Sequence, residues 1–98
     1  MKTISMKSFG DFLTSREDGQ QAYEVIKREI SNQPADLKVL FIFDEIKVLA
    51  PSYCDEVFGK LEEDFPGRLV YDGKIGHALK VAFETVSETR KIYFHFIP

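Results

Sequence analysis

The chain has 98 residues, of which 44% are hydrophobic and 13% aromatic, and this is enough apolar material for one packed core. The composition excludes a disordered chain, because disordered segments lack the apolar surface that offsets the entropy lost on folding. A formal net charge of −3 argues against general nucleic-acid binding, which requires an excess of Lys and Arg. We therefore expect a single domain over residues 1–98 that does not bind nucleic acid.

The single cysteine, Cys54, has no partner for an internal disulfide and no neighbouring cysteines with which to bind zinc. The first residues lack the apolar run and the small-residue cleavage site of a signal peptide. No apolar stretch approaches the length of a membrane span. We therefore expect a cytoplasmic protein that does not enter a membrane.

The N-terminal third predicts a short strand and then a helix. Residues 3–7 alternate polar and apolar side chains, with Ile4 and Met6 on one side, as in a half-buried or edge strand. Ser15 is placed to cap a helix that ends at residues 32–34, where Asn-Gln-Pro interrupts the pattern. The apolar residues of this helix recur at helical spacing: Ala22, Val25, Ile26 and Ile30.

The middle of the chain predicts the central strand and a second helix. Residues 37–43 form a nearly unbroken apolar run, which is typical of a strand covered on both faces. We expect this strand to lead directly into the turn at Pro51, where a second helix begins because proline suits a first helical position. Pro66 and Gly67 end this helix. Its apolar stripe consists of Cys54, Val57, Phe58 and Leu61.

The C-terminal third predicts a strand, a helix and a last strand. Residues 68–71 form the strand, and Asp72 is placed to cap the helix that follows. The apolar stripe of that helix consists of Ile75, Ala78, Leu79, Ala82, Phe83 and Val86. Residues 91–96 alternate, and one face of this strand carries Ile92, Phe94 and Phe96. Together the elements predict an α/β fold with a mixed, mostly parallel sheet of four to five strands and about three helices.

Two segments of the chain resemble a known family. Residues 9–19 (FGDFLTSREDG) and residues 49–61 (LAPSYCDEVFGKL) are similar to the bacterial STAS-like domain family of unknown function. That family is similar in turn to anti-sigma factor antagonists, which are small α/β signalling domains. Antagonists of this kind dock onto histidine-kinase-type ATPase partners and are switched by serine phosphorylation. The resemblance therefore implies a STAS-like fold and a protein-binding signalling role.

By this resemblance, Ser52 falls where the antagonists carry their switch serine, at the beginning of the helix that follows the central strand. A phosphate there would face free backbone N–H groups and the positive end of the helix dipole. In the alternative interpretation, Ser52 only satisfies an amide in the first turn of the helix. The chain departs from the antagonists at Ala50, Pro51 and Tyr53, where they often carry an acidic residue, a serine and a glycine respectively.

The leading hypothesis is a docking surface made of the loop before the second helix and the exposed side of that helix. We expect its residues to be Arg16, Pro51, Ser52, Tyr53, Asp55 and Glu56. The Arg16 guanidinium opposes the dipole of the first helix, so we expect it to pair with Asp55 or Glu56, or to bind a ligand. Gly19 within the same helix indicates a bend or the close approach of another helix.

The sequence contains no convincing catalytic or metal-binding constellation. A triad of Ser52, His77 and Asp55 has no supporting motif, and neither His77 nor His95 has a second ligand at metal-binding spacing. Residues 73–76 match the G-x-x-G loop of KH domains, but they follow a strand instead of joining two helices. We therefore expect no enzymatic activity, no catalytic residue, no metal and no cofactor.

The competing hypothesis is a structural or accessory domain that acts through homodimerisation and has no phospho-switch. It rests on the aromatic last strand, in which Tyr93, Phe94 and Phe96 would form an adhesive edge between two copies. The mass of the protein in solution distinguishes this hypothesis from a monomeric signalling module.

Overall fold

A computed structural model describes residues 1–98, in which short strands and helices follow one another along the chain. The strands are β1 (Lys2–Ser5), β2 (Phe12–Leu13), β3 (Val39–Ile42), β4 (Val48–Leu49), β5 (Leu69–Asp72) and β6 (Phe96–Ile97). The helices are α1 (Arg16–Ser31), α2 (residues 51–64) and α3 (His77–Arg90), and a short 3-10 helix covers Met6–Phe9. None of the helices combines the length and the hydrophobicity needed to span a bilayer.

The main sheet has four strands in the order β1-β3-β5-β6, and each neighbouring pair is parallel. Val39 of β3 lies opposite Lys2 on one side and Leu69 on the other, so β3 is an interior strand, as its apolar run predicted. A second, smaller sheet pairs β2 with β4. The predicted α/β fold, with a mostly parallel sheet of four to five strands and about three helices, is confirmed.

One face of the main sheet packs against the helices. Val39 and Phe41 of β3 are buried in the cluster of 24 core residues to which all three helices contribute. Leu40 and Ile42, which alternate with them, stay partly exposed and outside that cluster. The prediction that this strand is covered on both faces is therefore wrong, because the helices lie on one side of the sheet.

Phe58 lies in the middle of a cluster of aromatic rings between the sheet and the helices. Its ring centroid is 5.2 Å from that of Phe41, 5.6 Å from that of Tyr71 and 5.4 Å from that of Phe83. The rings of Phe41 and Tyr71 meet Phe58 edge-on, and such contacts add to the stabilisation that comes from burial alone. We call this cluster the aromatic centre, and its members are Phe41, Phe43, Phe58, Tyr71, Phe83, Phe94 and Phe96.

Helix α1 begins and ends where the sequence predicted. The Ser15 hydroxyl oxygen accepts a hydrogen bond from the backbone N–H of Asp18 at 3.0 Å, and Asn32 caps the other end. Three of the four predicted stripe residues are buried: Ala22, Ile26 and Ile30. Val25 was expected in the stripe but is 46% exposed, so this part of the prediction is wrong.

Helix α2 starts at Pro51 and contains an irregular turn. The segments Pro51–Cys54 and Lys60–Asp64 are α-helical, whereas Asp55–Gly59 is π-helical. In a π-helical turn the hydrogen bonds join residues five apart, so the turn is wider than in an α-helix. Four successive residues, 56 to 59, are buried in this turn, which a regular amphipathic stripe does not predict.

The central strand does not lead directly into α2, and this prediction is wrong. Residues 43–50 intervene, beginning with a turn in which the backbone N–H of Ile46 donates to the carbonyl oxygen of Phe43 at 3.1 Å. Glu45 adopts a positive φ of 63° in that turn. The chain then forms β4, which pairs with β2 and positions the start of α2 beside the start of α1.

The C-terminal elements depart from prediction at their edges. Asp72 does not cap α3: its carboxylate accepts from the backbone N–H of Lys74 at 2.9 Å, and Gly76 occupies the cap position. Ala78 of the predicted stripe is exposed. The strand predicted over residues 91–96 is shorter, because only Phe96–Ile97 forms β6.

Candidate functional site

A shallow pocket of about 210 Å³ lies where the starts of α1 and α2 meet α3. Its lining residues are Arg16, Pro51, Ser52, Asp55, Thr85, Val86 and Thr89, and we call it the helix-junction pocket. Four of the six residues predicted for the docking surface therefore lie together in space. Pro51 is exposed and Ser52 is half-buried, so the turn at the start of α2 reaches the protein surface.

Ser52 occupies the first turn of α2, as the sequence predicted. Its hydroxyl donates to the carbonyl oxygen of Thr14 at 3.3 Å, which links the start of α2 to the residues just before α1. A hydrogen bond of this length is weak. The hydroxyl is therefore held in place without being enclosed.

Two of the six predicted docking residues are inside the protein. Tyr53 is 1% exposed and Glu56 is 4% exposed, so neither side chain is available to a partner in this conformation. Both lie close to α1, because a Cβ at Gly19 would be 3.1 Å from the Glu56 Cβ and 3.4 Å from the Tyr53 carbonyl oxygen. This contact confirms the close helix approach predicted from Gly19. Because Tyr53 and Glu56 are buried, the predicted docking surface is reduced to Arg16, Pro51, Ser52 and Asp55.

Arg16 pairs with both acidic residues that the sequence offered as partners. Its Nη1 donates to Asp55 Oδ2 at 3.0 Å and to Glu56 Oε2 at 2.6 Å. Lys60 donates to the other oxygen of Glu56, and Arg90 Nε donates to Asp55 Oδ1 at 2.6 Å. The network continues to the exposed end of α2, where Arg90 Nη1 lies 2.9 Å from Glu63 Oε2. We call these six residues the ion-pair network.

The ion-pair network keeps its central carboxylates ionised. The hydrogen bond from Arg90, followed by that from Arg16, lowers the pKa of Asp55 below its ordinary value, although partial burial acts in the other direction. Burial would raise the pKa of Glu56, but the hydrogen bonds from Lys60 and Arg16 together outweigh it, so this pKa is also lowered. Positive and negative charges are therefore matched at the helix junction.

Helix α3 contributes to this site in a way that was not predicted from the sequence. Thr85 and Thr89 line the pocket, and Arg90 completes the ion pairs of Asp55. Thr85 and Thr89 are four residues apart and flank Val86, which is the one sequence signal that places them on a common helix face. Gly59 makes room for Arg90, because a Cβ at Gly59 would lie 2.6 Å from the Arg90 Nε.

The other chemical groups considered in the sequence do not form a site. His77 and His95 are exposed, and no group of three His, Cys, Asp or Glu side chains is arranged to hold a metal ion. Asp55 could not orient a histidine in this arrangement, because its two oxygens accept from Arg16 and Arg90. Cys54 is fully buried, and burial raises the pKa of its thiol, as expected for an unreactive core residue.

The aromatic residues near the C-terminus divide between the core and the surface. Phe94 is 5% exposed, and Phe96 packs against the core with its ring centroid 5.1 Å from that of Phe83. Tyr93 is 76% exposed. The adhesive edge predicted from these three residues therefore retains only Tyr93.

Comparison with known protein families, with curated proteins and with solved structures finds no match to this chain. The resemblance to STAS-like domains remains a prediction from the sequence.

Proposed function

We propose that this chain is a cytoplasmic, non-enzymatic signalling module of the STAS-like type, which docks onto an ATPase of the histidine-kinase type. In this proposal it acts as an anti-sigma factor antagonist does. The observation that supports the proposal is the accessible turn at the start of α2, where Pro51 is exposed and Ser52 is half-buried beside the helix-junction pocket. Ser52, which falls where the antagonists carry their switch serine, is therefore within reach of a partner.

Arg16 has spare hydrogen-bonding capacity for such a partner. Both of its bonds within the chain use Nη1, so the N–H groups on Nη2 and Nε can donate to carbonyl or carboxylate oxygens of another protein. Its side chain is 52% exposed. We propose that Arg16, Pro51 and Ser52 form the centre of the docking surface.

Phosphorylation of Ser52 would change the charge of this surface. A phosphate carries about −1.5 to −2 charges at neutral pH, and here it would share the pocket with the Asp55 carboxylate and the Arg16 guanidinium. The net charge of the helix junction would then become negative. We propose that the unmodified chain binds the partner, and that phosphoserine weakens docking by repelling acidic groups on it.

The switch is tested by incubating the chain with ATP and its cognate ATPase-type kinase, and by mapping phosphorylation with mass spectrometry. We expect phosphate on Ser52 and none on Ser8, which is exposed and lies outside the helix-junction pocket. An unmodified Ser52 under conditions in which the kinase hydrolyses ATP would reject the switch.

The docking surface is tested separately by measuring affinity for the same kinase by calorimetry. We expect Arg16→Gln and Ser52→Asp to weaken binding about tenfold or more, because both changes lie at the proposed centre of the interface. The matched controls are Arg28→Gln and Ser8→Asp, which change exposed residues outside the pocket and should bind as the wild type does. Equal affinities for all four variants would reject this surface.

The accessory-domain hypothesis keeps one supporting observation, the exposure of Tyr93 beside the two-residue edge strand β6. Under this hypothesis, light scattering should give the mass of a dimer for the wild type and the mass of a monomer for Tyr93→Ala. The signalling hypothesis expects the mass of a monomer for both proteins.

A further inference from the structure

The end of helix α3 directs the chain back along the same helix. Lys91 follows α3 with a positive φ of 58°, which reverses the direction of the backbone. The Ser87 carbonyl oxygen accepts from the backbone N–H of Ile92 at 3.2 Å, and the Ser87 hydroxyl donates to the Ile92 carbonyl oxygen at 2.5 Å. Because β6 contains only Phe96–Ile97, residues 91–95 form a loop beside α3 instead of a strand.

A cavity of about 450 Å³ lies between α3 and this returning segment, and we call it the α3 cavity. One wall is a single face of α3, on which residues at helical spacing line the cavity: Lys80, Phe83, Glu84, Ser87 and Glu88. The other lining residues are Gly73, Tyr93, Phe94 and Phe96. The volume lies within the range found for small-molecule sites.

The base of the α3 cavity is aromatic. Phe83 and Phe94 are buried, and their ring centroids are 5.0 Å apart. Phe96 is half-buried, with its ring centroid 5.1 Å from that of Phe83, and Tyr93 is exposed. Most of the accessible surface of the lining is apolar. The apolar part of a ligand would therefore contact Phe96 and Tyr93, the two rings that keep substantial accessible surface.

The charged residues of the α3 cavity give it a net negative charge. Its lining contains the carboxylates of Glu84 and Glu88 and one ammonium group, that of Lys80, so the net charge is −1. All three side chains are exposed, and none of them takes part in the nine ion pairs of the chain. Both carboxylates are therefore free to attract a cation, and they would repel an anion.

The two signs of charge are separated along the cavity. Glu88 follows Lys80 by eight residues, which is about 12 Å along the helix. The bonds between Ser87 and Ile92 place Tyr93 near the Glu88 end. A short ligand can therefore pair a positive charge with the carboxylates beside Tyr93 and remain apart from the Lys80 ammonium.

We propose that the α3 cavity binds small organic cations, in which a protonated amine is attached to an aromatic or aliphatic body. The amine pairs with Glu84 and Glu88, and the body packs against Tyr93 and Phe96. The α3 cavity shares no lining residue with the helix-junction pocket, so this site does not depend on the proposed docking function.

The proposal is tested by titration with phenethylammonium, phenethyl alcohol and phenylacetate, followed in proton–nitrogen correlation spectra. The three probes share a phenyl ring and a similar length, but their charges are positive, zero and negative. We expect saturable shifts in the backbone signals of Glu84, Ser87, Glu88 and Tyr93, with the highest affinity for phenethylammonium and the lowest for phenylacetate. The signal of Ser52, which lies in the helix-junction pocket, should stay in place.

A charge variant shows whether the carboxylates select the cation. Glu88→Gln should bind phenethylammonium about twofold to fivefold more weakly, the effect of one exposed ion pair, and should bind phenethyl alcohol as the wild type does. Glu17→Gln is the matched control, because it removes an exposed carboxylate outside the cavity. It should leave both affinities unchanged.

An aromatic variant shows whether the body of the ligand packs in the cavity. Tyr93→Ala should weaken binding of phenethylammonium and of phenethyl alcohol by a similar factor of about threefold or more, because both lose the same apolar contact. Phe12→Ala is the matched control, since Phe12 is an exposed aromatic residue outside the cavity. Thermal melting of both variants checks that they are folded.

Three outcomes would overturn the site. The first is the absence of phenethylammonium-induced shifts at the α3 cavity in the wild-type protein. The second is equal affinity for the three probes, which would leave the carboxylates without a role. The third is a change of the same signals on dilution with no response to phenethylammonium, which would assign the cavity to a second copy of the chain.

Discussion

Helix α2 has two contrasting sides. On one side, Phe58 is fully buried in the aromatic centre and contacts other rings. On the other, Asp55 and Glu56 hold arginine and lysine side chains from three helices in the ion-pair network. Burial of rings supplies net folding free energy, whereas ion pairs near the surface contribute little because water and salt screen the charges and the side chains lose conformational freedom. Stability and surface charge are therefore set by different faces of one helix.

The largest loss of stability is expected from a substitution in the aromatic centre. Phe58→Ala should lower the free energy of unfolding by about 3–5 kcal/mol, because it removes a fully buried ring and leaves a cavity. Urea denaturation followed by circular dichroism measures this change. The control Val81→Ala alters an exposed apolar residue of α3 and should change stability by about 0.5 kcal/mol or less. Wild-type stability of Phe58→Ala would contradict the central position of this ring.

A smaller effect is expected in the ion-pair network, where only Glu56 is buried. Glu56→Gln should lower the free energy of unfolding by about 1–3 kcal/mol, since a buried group loses charge-assisted bonds to Arg16 and Lys60. Glu63→Gln is the matched control in the same helix, and the 58% exposure of the Glu63 side chain predicts a change within about 0.5 kcal/mol. Equal losses of unfolding free energy in the two variants would contradict the expected difference between buried and exposed ion pairs.

The same carboxylates predict that stability depends on pH in the acid range. The pKa values of Asp55 and Glu56 are lowered in the folded protein from ordinary values of 3.8 and 4.5. Their contribution to stability is therefore complete above about pH 5 and is lost as the pH falls through the folded-state values. Urea denaturation between pH 7 and pH 2 should show that the free energy of unfolding falls less in Glu56→Gln than in the wild type. Parallel curves would contradict the lowered pKa of Glu56.

The net pKa shift of Glu62 is in the opposite direction, because burial raises this pKa by more than the hydrogen bond from Tyr71 lowers it. A carboxylate with a raised pKa favours the folded state as the pH falls, so Glu62 partly masks the acid-induced loss in the wild-type curve. Glu62 is present in both the wild type and Glu56→Gln. Its contribution therefore cancels when the free energies of unfolding of the two proteins are subtracted at each pH.

Two tyrosines distinguish a satisfied buried hydroxyl from an unsatisfied one. Tyr53→Phe should raise the free energy of unfolding by about 1 kcal/mol, because its hydroxyl is buried without a partner. Tyr71→Phe should lower it by a similar amount, since the Tyr71 hydroxyl donates to Glu62 Oε2 at 2.8 Å. Thermal melting of both variants shows whether each change raises or lowers the stability of the protein. Destabilisation by Tyr53→Phe would mean that its hydroxyl has a partner within the chain.

The smallest effect is expected at Ser52. Ser52→Ala should change the free energy of unfolding by about 0.5 kcal/mol or less, because its 3.3 Å bond to Thr14 is weak. Ser15→Ala is the matched control and should cost about 1 kcal/mol, since Ser15 caps α1. A larger loss at Ser52 than at Ser15 would assign Ser52 a structural role and would weaken its use as a switch.

Part of the candidate site could be predicted from the sequence because its signals are local. Pro51 marked the start of α2, Ser15 marked the start of α1, and Gly19 marked a close contact between helices. Each of these signals depends on backbone geometry or capping within a few residues. The burial of Glu56 could not be read in this way, because Glu56 lies in the π-helical turn that interrupts the regular period of the helix.

The sequence by itself determined the α/β class, the interior position of β3 and the limits of α1, because periodicity and capping depend on neighbouring residues. The sequence also offered Asp55 or Glu56 as a partner of Arg16, but only the tertiary structure decided that Arg90 joins this network and which hydroxyl is left without a partner. Asp55 meets Arg90 from 35 residues away. The energy of a buried polar group depends on which distant side chains reach it, and no local pattern records that information.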